Sequence, residues 1–360
     1  MNYYIHTPFC NGKCGYCVFY SEGSFSADMV EAWLTKVCRE LTALPQADCE
    51  TIYIGGGTPS ILTVPQLERL FEAIAHLAPT AATEISMEAN PETLTEEKVA
   101  FLRGHITRLS IGVQSFQAPL RRTLGRKCSQ EVLENALATV QKANFPHWNI
   151  DLIYAIPGQT PAMWQMELEQ AAALGCDHIS CYNLTPEEGA ALASELIPDE
   201  DDSAAMWQAA QELLGASGIS RYEISNYARP GGECRHNRNI WRGGLLTGIG
   251  PAAAGFDGRR RMIQPESLAA WLNDAPPEVD ELSVADRLNE IFAVNLRTVE
   301  GWTPESWAKV PFSDAWEVRQ RLIQQTIRET SENFFDISPE RITLSPDGLL
   351  FWNTIAESLI

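Results

Sequence analysis

The chain has 360 residues, 45% of them hydrophobic, which is enough for one large domain and a smaller one with a sizeable core. Its 47 acidic and 27 basic residues give a formal net charge of -20, which opposes the counterion release that dominates nucleic-acid binding, so we exclude a nucleic acid as partner. No segment approaches the roughly 20 uncharged apolar residues of a membrane-spanning helix. We therefore expect no transmembrane segment and at most a peripheral membrane contact.

Three cysteines follow the first predicted strand, Tyr3 to Thr7. Cys10, Cys14 and Cys17 have the spacing C-x3-C-x2-C. Thiolates at this spacing can bind three irons of a [4Fe-4S] cluster and leave the fourth iron open to a chelating small molecule. The alternative is a zinc site with His6 as fourth ligand. Zinc ribbons, however, usually bring their ligands as two separated pairs, and this chain has no second C-x2-C.

The nine cysteines also bear on location. Disulfides are rare in reducing compartments, and the chain shows no hydrophobic N-terminal segment of the kind that directs export. We therefore expect free thiols and a cytoplasmic protein.

Strand-like apolar runs alternate with amphipathic helical segments through the first 185 residues. Repeated units of this kind form a parallel sheet with helices outside it. Because there are six units rather than eight, we predict an α/β fold in the form of a partial (β/α)6 TIM-like barrel, open on one side. The predicted strands are Tyr3 to Thr7, Thr51 to Gly55, Glu84 to Glu88, Arg108 to Gly112, Trp148 to Leu152 and His178 to Tyr182.

The rest of the chain predicts a smaller module that begins near residue 265. Ser283 and Asp286 have the spacing of a helix cap, and Pro346-Asp347-Gly348 between apolar runs predicts a β-hairpin. Helices followed by a hairpin are typical of a winged-helix-like α+β domain. We predict three units, namely the barrel in 1–200, a barrel extension in 201–264 and the small C-terminal domain in 265–360.

Polar and glycine-rich residues follow the predicted strands, at the edge where parallel β/α folds build their ligand sites. Gly55-Gly56-Gly57-Thr58 would let the backbone approach a ligand, and we expect its amides to hold the charged end of a small molecule. Taken singly, each polar side chain also fits a capping role. Carboxylate, amide and guanidinium groups suited to a nucleoside recur at Glu88, Gln114, Arg126 and Asp151.

Several segments share their pattern with one family: Tyr4-Ile-His-Thr-Pro-Phe-Cys10, Gly55-Gly-Gly-Thr-Pro-Ser60, Arg108-Leu-Ser-Ile-Gly-Val-Gln-Ser-Phe116, Asp151-Leu-Ile-Tyr-Ala-Ile-Pro-Gly-Gln-Thr160 and Arg221-Tyr-Glu-Ile-Ser-Asn-Tyr-Ala228. Together they resemble the oxygen-independent coproporphyrinogen III oxidase-like family of radical S-adenosylmethionine (SAM) proteins. The resemblance extends over nearly the whole chain and implies a radical SAM barrel.

This resemblance implies two cofactors, a [4Fe-4S] cluster on Cys10, Cys14 and Cys17 and a SAM molecule on the open iron. It also implies that the cluster, reduced by an electron donor, splits SAM into methionine and a 5'-deoxyadenosyl radical. The implied SAM contacts are Tyr4, Tyr16, Gly56, Gly57, Thr58, Glu88, Gln114, Arg126 and Asp151.

Two features distinguish the branches of this family. Members of the oxidase branch have a fourth cysteine two residues after the third, where this chain has Phe19. They also have an N-terminal extension, whereas this chain begins two residues before its first predicted strand. Both departures indicate the heme-chaperone branch, whose members bind heme or another tetrapyrrole and pass it to an acceptor protein.

The segment Cys234-Arg-His-Asn-Arg-Asn-Ile-Trp241 resembles an H-N-x-x-Y-W motif associated with heme handling, with Ile240 in place of the tyrosine. We expect His236 to contact heme, since a neutral imidazole can be an axial iron ligand, and Cys234 is a further candidate through its thiolate. The other interpretation is a histidine that orders a surface loop. Ala254 is a second departure, since a histidine commonly occupies that position in the family.

Three functions stay open at this point. The first is a heme chaperone for respiratory acceptor proteins, in which the cluster and SAM serve loading or release. The second is a radical SAM enzyme that acts on a tetrapyrrole. It would perform either coproporphyrinogen III oxidative decarboxylation, which Phe19 disfavours, or anaerobic heme opening by methyl transfer. The third is a radical SAM enzyme with an unrelated substrate, because fold does not fix function.

Overall fold

A parallel sheet forms the centre of the computed structural model, which describes residues 1–185, 190–192, 200–330 and 334–360. Six strands pair in parallel and in chain order, and they form the wall of a partial barrel. Each predicted strand is confirmed to within two residues at either end. The strands are β1 Asn2–Thr7, β2 Thr51–Gly56, β3 Glu84–Ala89, β4 Arg108–Gln114, β5 His147–Tyr154 and β6 His178–Asn183.

Helices between these strands bury apolar residues against the sheet. Trp33 and Leu34 of the first helix are fully buried, as are Leu67 and Leu70 of the second. Hydroxyl side chains cap several of these helices by accepting a hydrogen bond from a first-turn amide, as Ser26 does from Met29. The helices are α1 Ala27–Ala43, α2 Val64–Ile74, α3 Glu96–Arg103, α4 Ala118–Thr123, α5 Gln130–Ala143 and α6 Pro161–Ala173.

The inner face of the barrel is polar, and we call the space that it encloses the lumen. Alternation along each strand sends apolar residues outward to the helices and polar residues inward. Asn149 illustrates the inner face, because its amide group donates to Ser110 Oγ (2.6 Å) and to Asp151 Oδ1 (2.8 Å). Its carbonyl oxygen lies 2.7 Å from His178 Nδ1. Many closed barrels fill this space with branched apolar side chains, so the polar lumen is a distinguishing feature.

The sheet continues beyond these strands on both sides. Next to β6, the strands β8 Asn226–Ala228 and β7 Ser220–Arg221 are antiparallel. Next to β1, β9 Leu246–Ile249 adds a parallel strand. Three antiparallel strands follow it, β10 Ala254–Phe256, β11 Arg261–Ile263 and β12 Glu278–Asp280, and complete a 12-stranded sheet. Two helices belong to the same part of the chain, α7 Glu200–Ala216 and α8 Arg235–Trp241.

The C-terminal part contains helices and one two-stranded sheet. The hairpin predicted around Pro346 is wrong, because Ser345 Oγ accepts from the Gly348 amide (3.0 Å) and starts a helix at Pro346. No helix in the described ranges is both long and apolar enough to cross a membrane. The elements are α9 Leu268–Leu272, α10 Val284–Asn295, α11 Pro304–Trp307, α12 Trp316–Thr330, β13 Phe335–Ile337, β14 Ile342–Leu344, α13 Pro346–Leu350 and α14 Trp352–Leu359, with β13 antiparallel to β14.

A buried ion pair joins this part to the barrel extension. Glu223 is fully buried, and its Oε2 accepts from Arg297 Nε (2.8 Å). Its Oε1 accepts from the Ser225 amide (2.8 Å) and from Asn226 Nδ2 (2.6 Å). The predicted division at residues 200 and 264 stays a prediction.

We expect Glu223→Ala to lower the free energy of unfolding by about 3 kcal/mol, because it leaves Arg297 and two polar groups without their acceptor. The matched control is Glu305→Ala, which removes an exposed pair with Lys309 and should leave the free energy of unfolding nearly unchanged. Urea titration followed by circular dichroism measures both. Equal effects of the two substitutions would contradict the structural role of Glu223.

Candidate cofactor site at the carboxyl ends of the strands

The loop after β1 carries three half-buried cysteines, Cys10, Cys14 and Cys17. The Cys17 amide donates to the Cys14 carbonyl (3.2 Å), which folds the loop back on itself. Burial raises the pKa of the Cys14 and Cys17 thiols, the Arg126 guanidinium opposes this shift, and the Cys10 thiol adds to it. Because the thiols act on one another's pKa, they lie within electrostatic range of each other. Among the described residues, no group of three or more His, Cys, Asp or Glu side chains is arranged to hold a single metal ion.

A chain of hydrogen bonds connects this loop to the ends of three strands. Cys10 Sγ lies 3.2 Å from Thr58 Oγ1, which accepts from Asn90 Nδ2 (2.7 Å). Asn90 Oδ1 in turn accepts from Arg126 Nη1 (2.8 Å). Since the Thr58 oxygen accepts from Asn90, its hydroxyl hydrogen is available to the Cys10 sulfur. This chain of contacts ties Cys10 to the ends of β2, β3 and β4.

Arg126 is held by the end of β4. Its Nη2 donates to the Gly112 carbonyl (2.8 Å), beside its bond to Asn90. A Cβ at Gly112 would lie 2.5 Å from Arg126 Nη2, 3.0 Å from Gln114 Nε2 and 3.1 Å from Asn90 Oδ1. The absence of a side chain at this position therefore allows three polar groups to meet. Gln114 is buried and has a left-handed backbone, with φ of 59°.

The glycines after β2 contact the cysteine loop directly. The Gly57 amide donates to the Thr7 carbonyl (2.7 Å), and the Gly56 amide donates to Glu88 Oε2 (3.1 Å). Both donors are used within the protein, so a ligand would have to compete with Thr7 and Glu88 for them, and ligand binding by these amides stays a prediction. A Cβ on Gly57 would lie 2.5 Å from the Phe9 carbonyl oxygen. The role of this segment is close packing against the residue that precedes Cys10.

Two carboxylates, Glu88 and Asp151, face the lumen near the same edge. Tyr53 donates from its hydroxyl to Glu88 Oε1 (2.8 Å). Burial, together with the charge of Asp151, raises the pKa of Glu88 to about 7 against the hydrogen bonds from Tyr53 and Gly56. Burial also raises the pKa of Asp151, while hydrogen bonds from Ser180, Asn149 and Ser110 oppose the shift. A cation bound between Glu88 and Asp151 would restore their ionised forms.

The two tyrosines expected at this site lie on either side of it. Tyr4 stacks on Tyr53 with ring centroids 6.2 Å apart, and its hydroxyl lies 3.1 Å from His6 Nδ1. Tyr16 packs against a small apolar cluster that includes Leu124 and Ile153. Burial raises the pKa of both phenols, so both stay protonated and able to donate.

His6 is engaged on both ring nitrogens. Nδ1 meets the Tyr4 hydroxyl and Nε2 lies 3.0 Å from the Tyr20 carbonyl. Burial lowers the pKa of His6, so the imidazole is neutral. Because both nitrogens have partners within the protein, the zinc alternative lacks its fourth ligand.

The structure does not bring His236 and Cys234 to this edge. His236 Nδ1 bonds to the hydroxyl of Thr51 (2.7 Å), the first residue of β2, and a six-residue strand spans about 17 Å. Burial lowers the pKa of His236 to about 4 and raises the pKa of the Cys234 thiol to about 12. Both side chains are buried at the amino-terminal end of the barrel, and Cys234 is a neutral thiol rather than a thiolate.

Asn90 is the main site residue that sequence reasoning missed. It joins Thr58 to Arg126 and is buried. Its position two residues after Glu88, just beyond the end of β3, was the available signal. Phe19, in contrast, is 67% exposed beside the cysteine loop, where the oxidase branch has a cysteine.

Comparison with known proteins first identifies the class of protein to which the chain belongs. The model of the radical SAM superfamily matches residues 4–171, which include every predicted residue of the edge site. The structure is similar to coproporphyrinogen III oxidase (HemN) from Escherichia coli, with a TM-score of 0.84 at 21% identity over 99% of this chain and 89% of that chain. At this identity the likeness shows the fold, a radical SAM TIM-like α/β barrel.

Curated relatives then give the particular family. The heme chaperone HemW of Synechocystis sp. is 32% identical over 99% of this chain and 95% of its own length. The heme chaperone HemW of Lactococcus lactis is 30% identical over 99% and 96%. The chain therefore belongs to the HemW family of radical SAM proteins.

Membership in the superfamily implies SAM and a [4Fe-4S] cluster as cofactors, and the residues present fit both. Three half-buried thiols on one loop supply three ligands, and the Thr58 hydroxyl lies within hydrogen-bond distance of the Cys10 sulfur. The carboxylates of Glu88 and Asp151 and the partly buried guanidinium of Arg126 offer partners for the charged groups and hydroxyls of a nucleoside with an amino acid arm.

Proposed function

We propose that this protein is a heme chaperone that carries a SAM-bound [4Fe-4S] cluster. The observation that carries the proposal is the likeness to HemW chaperones across 99% of the chain at 32% identity. Phe19 in place of a fourth cysteine supports the same function over oxidative decarboxylation. In this proposal the protein acts in the cytoplasm, receives electrons from a separate donor and passes heme to a respiratory acceptor protein.

Cys10, Cys14 and Cys17 would hold the cluster, and the edge residues around Glu88, Gln114, Arg126 and Asp151 would hold SAM. When bound, the cluster and SAM would together supply electron transfer from the cluster to the SAM sulfonium. The chain itself orients the site: the Thr58 hydroxyl lies 3.2 Å from the Cys10 sulfur, while Gly112 leaves room for Arg126. The walls of this SAM site would be formed by Tyr4, Tyr16, Gly56 and Gly57. Glu88 and Asp151 supply negative charge opposite the SAM ammonium and hydroxyl groups.

Heme contact at His236 stays a prediction, and the structure sets conditions on it. Nδ1 is bonded to Thr51, and the backbone amide of His236 donates to Glu84 Oε1 (2.9 Å). An iron bond would therefore use Nε2 and would require α8 to move from the barrel. Cys234 would in addition have to lose a proton held by a pKa of about 12.

An anaerobic heme titration of the cluster-loaded protein, with and without SAM, tests the function, followed by chromatography of the recovered tetrapyrrole. The proposal predicts stoichiometric binding and heme that returns unaltered. A chemically altered tetrapyrrole would instead support an enzyme that acts on heme or coproporphyrinogen, and no binding would contradict both. His236→Ala, compared with His76→Ala on the exposed surface, shows whether this histidine contributes.

We expect SAM affinity to rise as pH increases from about 5.5 to about 7, by close to tenfold per unit, and to level off above the Glu88 pKa of about 7. The sign follows from the carboxyl group: its neutral form below this pKa attracts the SAM ammonium less than the carboxylate does. Glu88→Gln should bind SAM more weakly and with little pH dependence. Equilibrium dialysis at matched cluster occupancy measures this, and an unchanged pH profile in Glu88→Gln would remove Glu88 from the SAM contacts.

A further inference from the structure

Arg108 is a buried cation whose donors are largely unused. It is the first residue of β4, at the amino-terminal end of the lumen, and is only 3% exposed. Its Nη2 donates to the Gly232 carbonyl. Its Nε and Nη1 have no hydrogen-bond partner within the described ranges. A charged donor without an acceptor costs several kcal/mol when it is buried, so this group needs a partner.

Ser86 presents a third unused polar atom beside it. Ser86 and Arg108 are direct partners in the register of β3 and β4, so their side chains project from neighbouring positions on the same face. Ser86 is 1% exposed, and its Oγ also lacks a partner in the part of the chain that the structure describes. Three unused polar groups, two from Arg108 and one from Ser86, are thus brought together on the lumen side of two paired strands.

The acidic groups around Arg108 are committed elsewhere. Glu84 accepts from the backbone amides of Arg235 (3.0 Å) and His236 (2.9 Å), one on each oxygen. Asp177 accepts from the Trp148 amide (2.9 Å) and pairs with His147 through its other oxygen. Glu84 therefore accepts from the start of α8, and Asp177 accepts from the start of β5. Neither carboxylate accepts from Arg108 Nε or Nη1.

The remaining neighbours are neutral. The Cys234 thiol lies within hydrogen-bonding reach of the Arg108 guanidinium, which lowers its pKa, but burial dominates and raises that pKa to about 12, and a protonated thiol is a weak acceptor. Burial keeps the pKa of His178 well below its usual range, and its ring nitrogens are engaged by Asn149 (2.7 Å) and Tyr222 (2.9 Å). The described side chains thus offer Arg108 no strong acceptor.

We propose that Arg108 and Ser86 form a binding site for a small monovalent anion inside the barrel, separate from the cofactor edge. A halide or a formate-sized carboxylate can accept from Arg108 Nε, Arg108 Nη1 and Ser86 Oγ together. The nearby charges of Glu84 and Asp177 oppose a dianion, so the site selects a single negative charge. Bound there, the anion accepts from the unused Arg108 donors and stabilises the contact between the strands and the loop at Gly232.

Thermal unfolding of the full-length, cluster-loaded protein in chloride, bromide, formate or gluconate at equal ionic strength tests the site. We expect the midpoint to rise by about 2 °C for each tenfold increase in chloride above the dissociation constant, with gluconate as the inert reference. Ser86→Ala should weaken this dependence, and Arg108→Met should abolish it. Ser203→Ala is the matched control, because Ser203 is also buried with an unpartnered hydroxyl but lies on α7.

Bromide crystals supply a second measurement that does not depend on a variant's folding. An anomalous peak within contact distance of Arg108 Nε and Ser86 Oγ is the expected result. A water molecule at that position in bromide crystals would overturn the proposal. Equal anion dependence in the wild type and Ser86→Ala would also overturn it.

Discussion

Replacing Cys14 with alanine is expected to remove the iron–sulfur cluster almost completely. Cys14 is the central residue of the three-cysteine loop, and the Cys10 and Cys17 thiols both act on its pKa. With two thiolates left, a second iron lacks a protein ligand and solvent can reach it, so the cluster is lost during reconstitution. Iron and sulfide content per chain, with the visible absorption of the cluster, measures the loss, and SAM binding should fall with it.

The matched control is Cys38→Ala. Cys38 is also half-buried and free, but it lies on α1, away from the loop. This variant should keep wild-type iron content, which separates loss of a ligand from loss of any cysteine. If Cys14→Ala retained a full complement of iron and still bound SAM, the assignment of the cysteine loop would be wrong.

Gly57→Ala is expected to have the second-largest effect, because the added methyl group cannot be accommodated. Its Cβ would lie 2.5 Å from the Phe9 carbonyl oxygen and 2.9 Å from the Phe9 carbonyl carbon, both in the backbone that leads to Cys10. The loop must shift, and the hydrogen bond from the Gly57 amide to Thr7 weakens with it. We expect cluster occupancy to fall at least about tenfold, as for changes to the shell around metal ligands.

Gly215→Ala provides the comparison, since a Cβ there meets no atom within 4 Å and the residue lies in α7. It should leave iron content unchanged and leave thermal stability unchanged or slightly higher. Circular dichroism of both variants shows whether the fold survives. Normal cluster occupancy in Gly57→Ala would contradict close packing as the role of the glycine segment.

The parallel strands and the loop after β1 could be predicted because their signals are local. Apolar runs at regular spacing predicted the six strands. Ligands bind at the carboxyl ends of parallel strands, and this rule singled out Glu88 and Asp151 as candidate site residues. Polar residues alternate with apolar ones in Glu84-Ile-Ser-Met-Glu88, and the structure places these polar residues on the lumen side. The pairing of β9 with β1 joins residues over 200 positions apart, which no local pattern encodes.

Other features depended on three-dimensional competition for hydrogen bonds. The amides of Gly56 and Gly57 are used by Glu88 and Thr7, which the sequence of the glycine segment cannot reveal. Thr51 and Glu84 hold His236 at the amino-terminal end of the barrel, a position that the sequence of its motif cannot reveal. Pro346-Asp347-Gly348 fits a turn and a capped helix start equally well, and Ser345 decides for the helix.

The electron paramagnetic resonance spectrum of the reduced cluster, recorded with and without SAM, tests the central claim most directly. Three protein thiolates and no fourth ligand predict an iron that SAM can bind, so SAM should change the spectrum and saturate at one molecule per cluster. Glu88→Gln should require more SAM for the same change at about pH 7. A cluster that is present at full occupancy but whose spectrum SAM leaves unchanged would contradict the account.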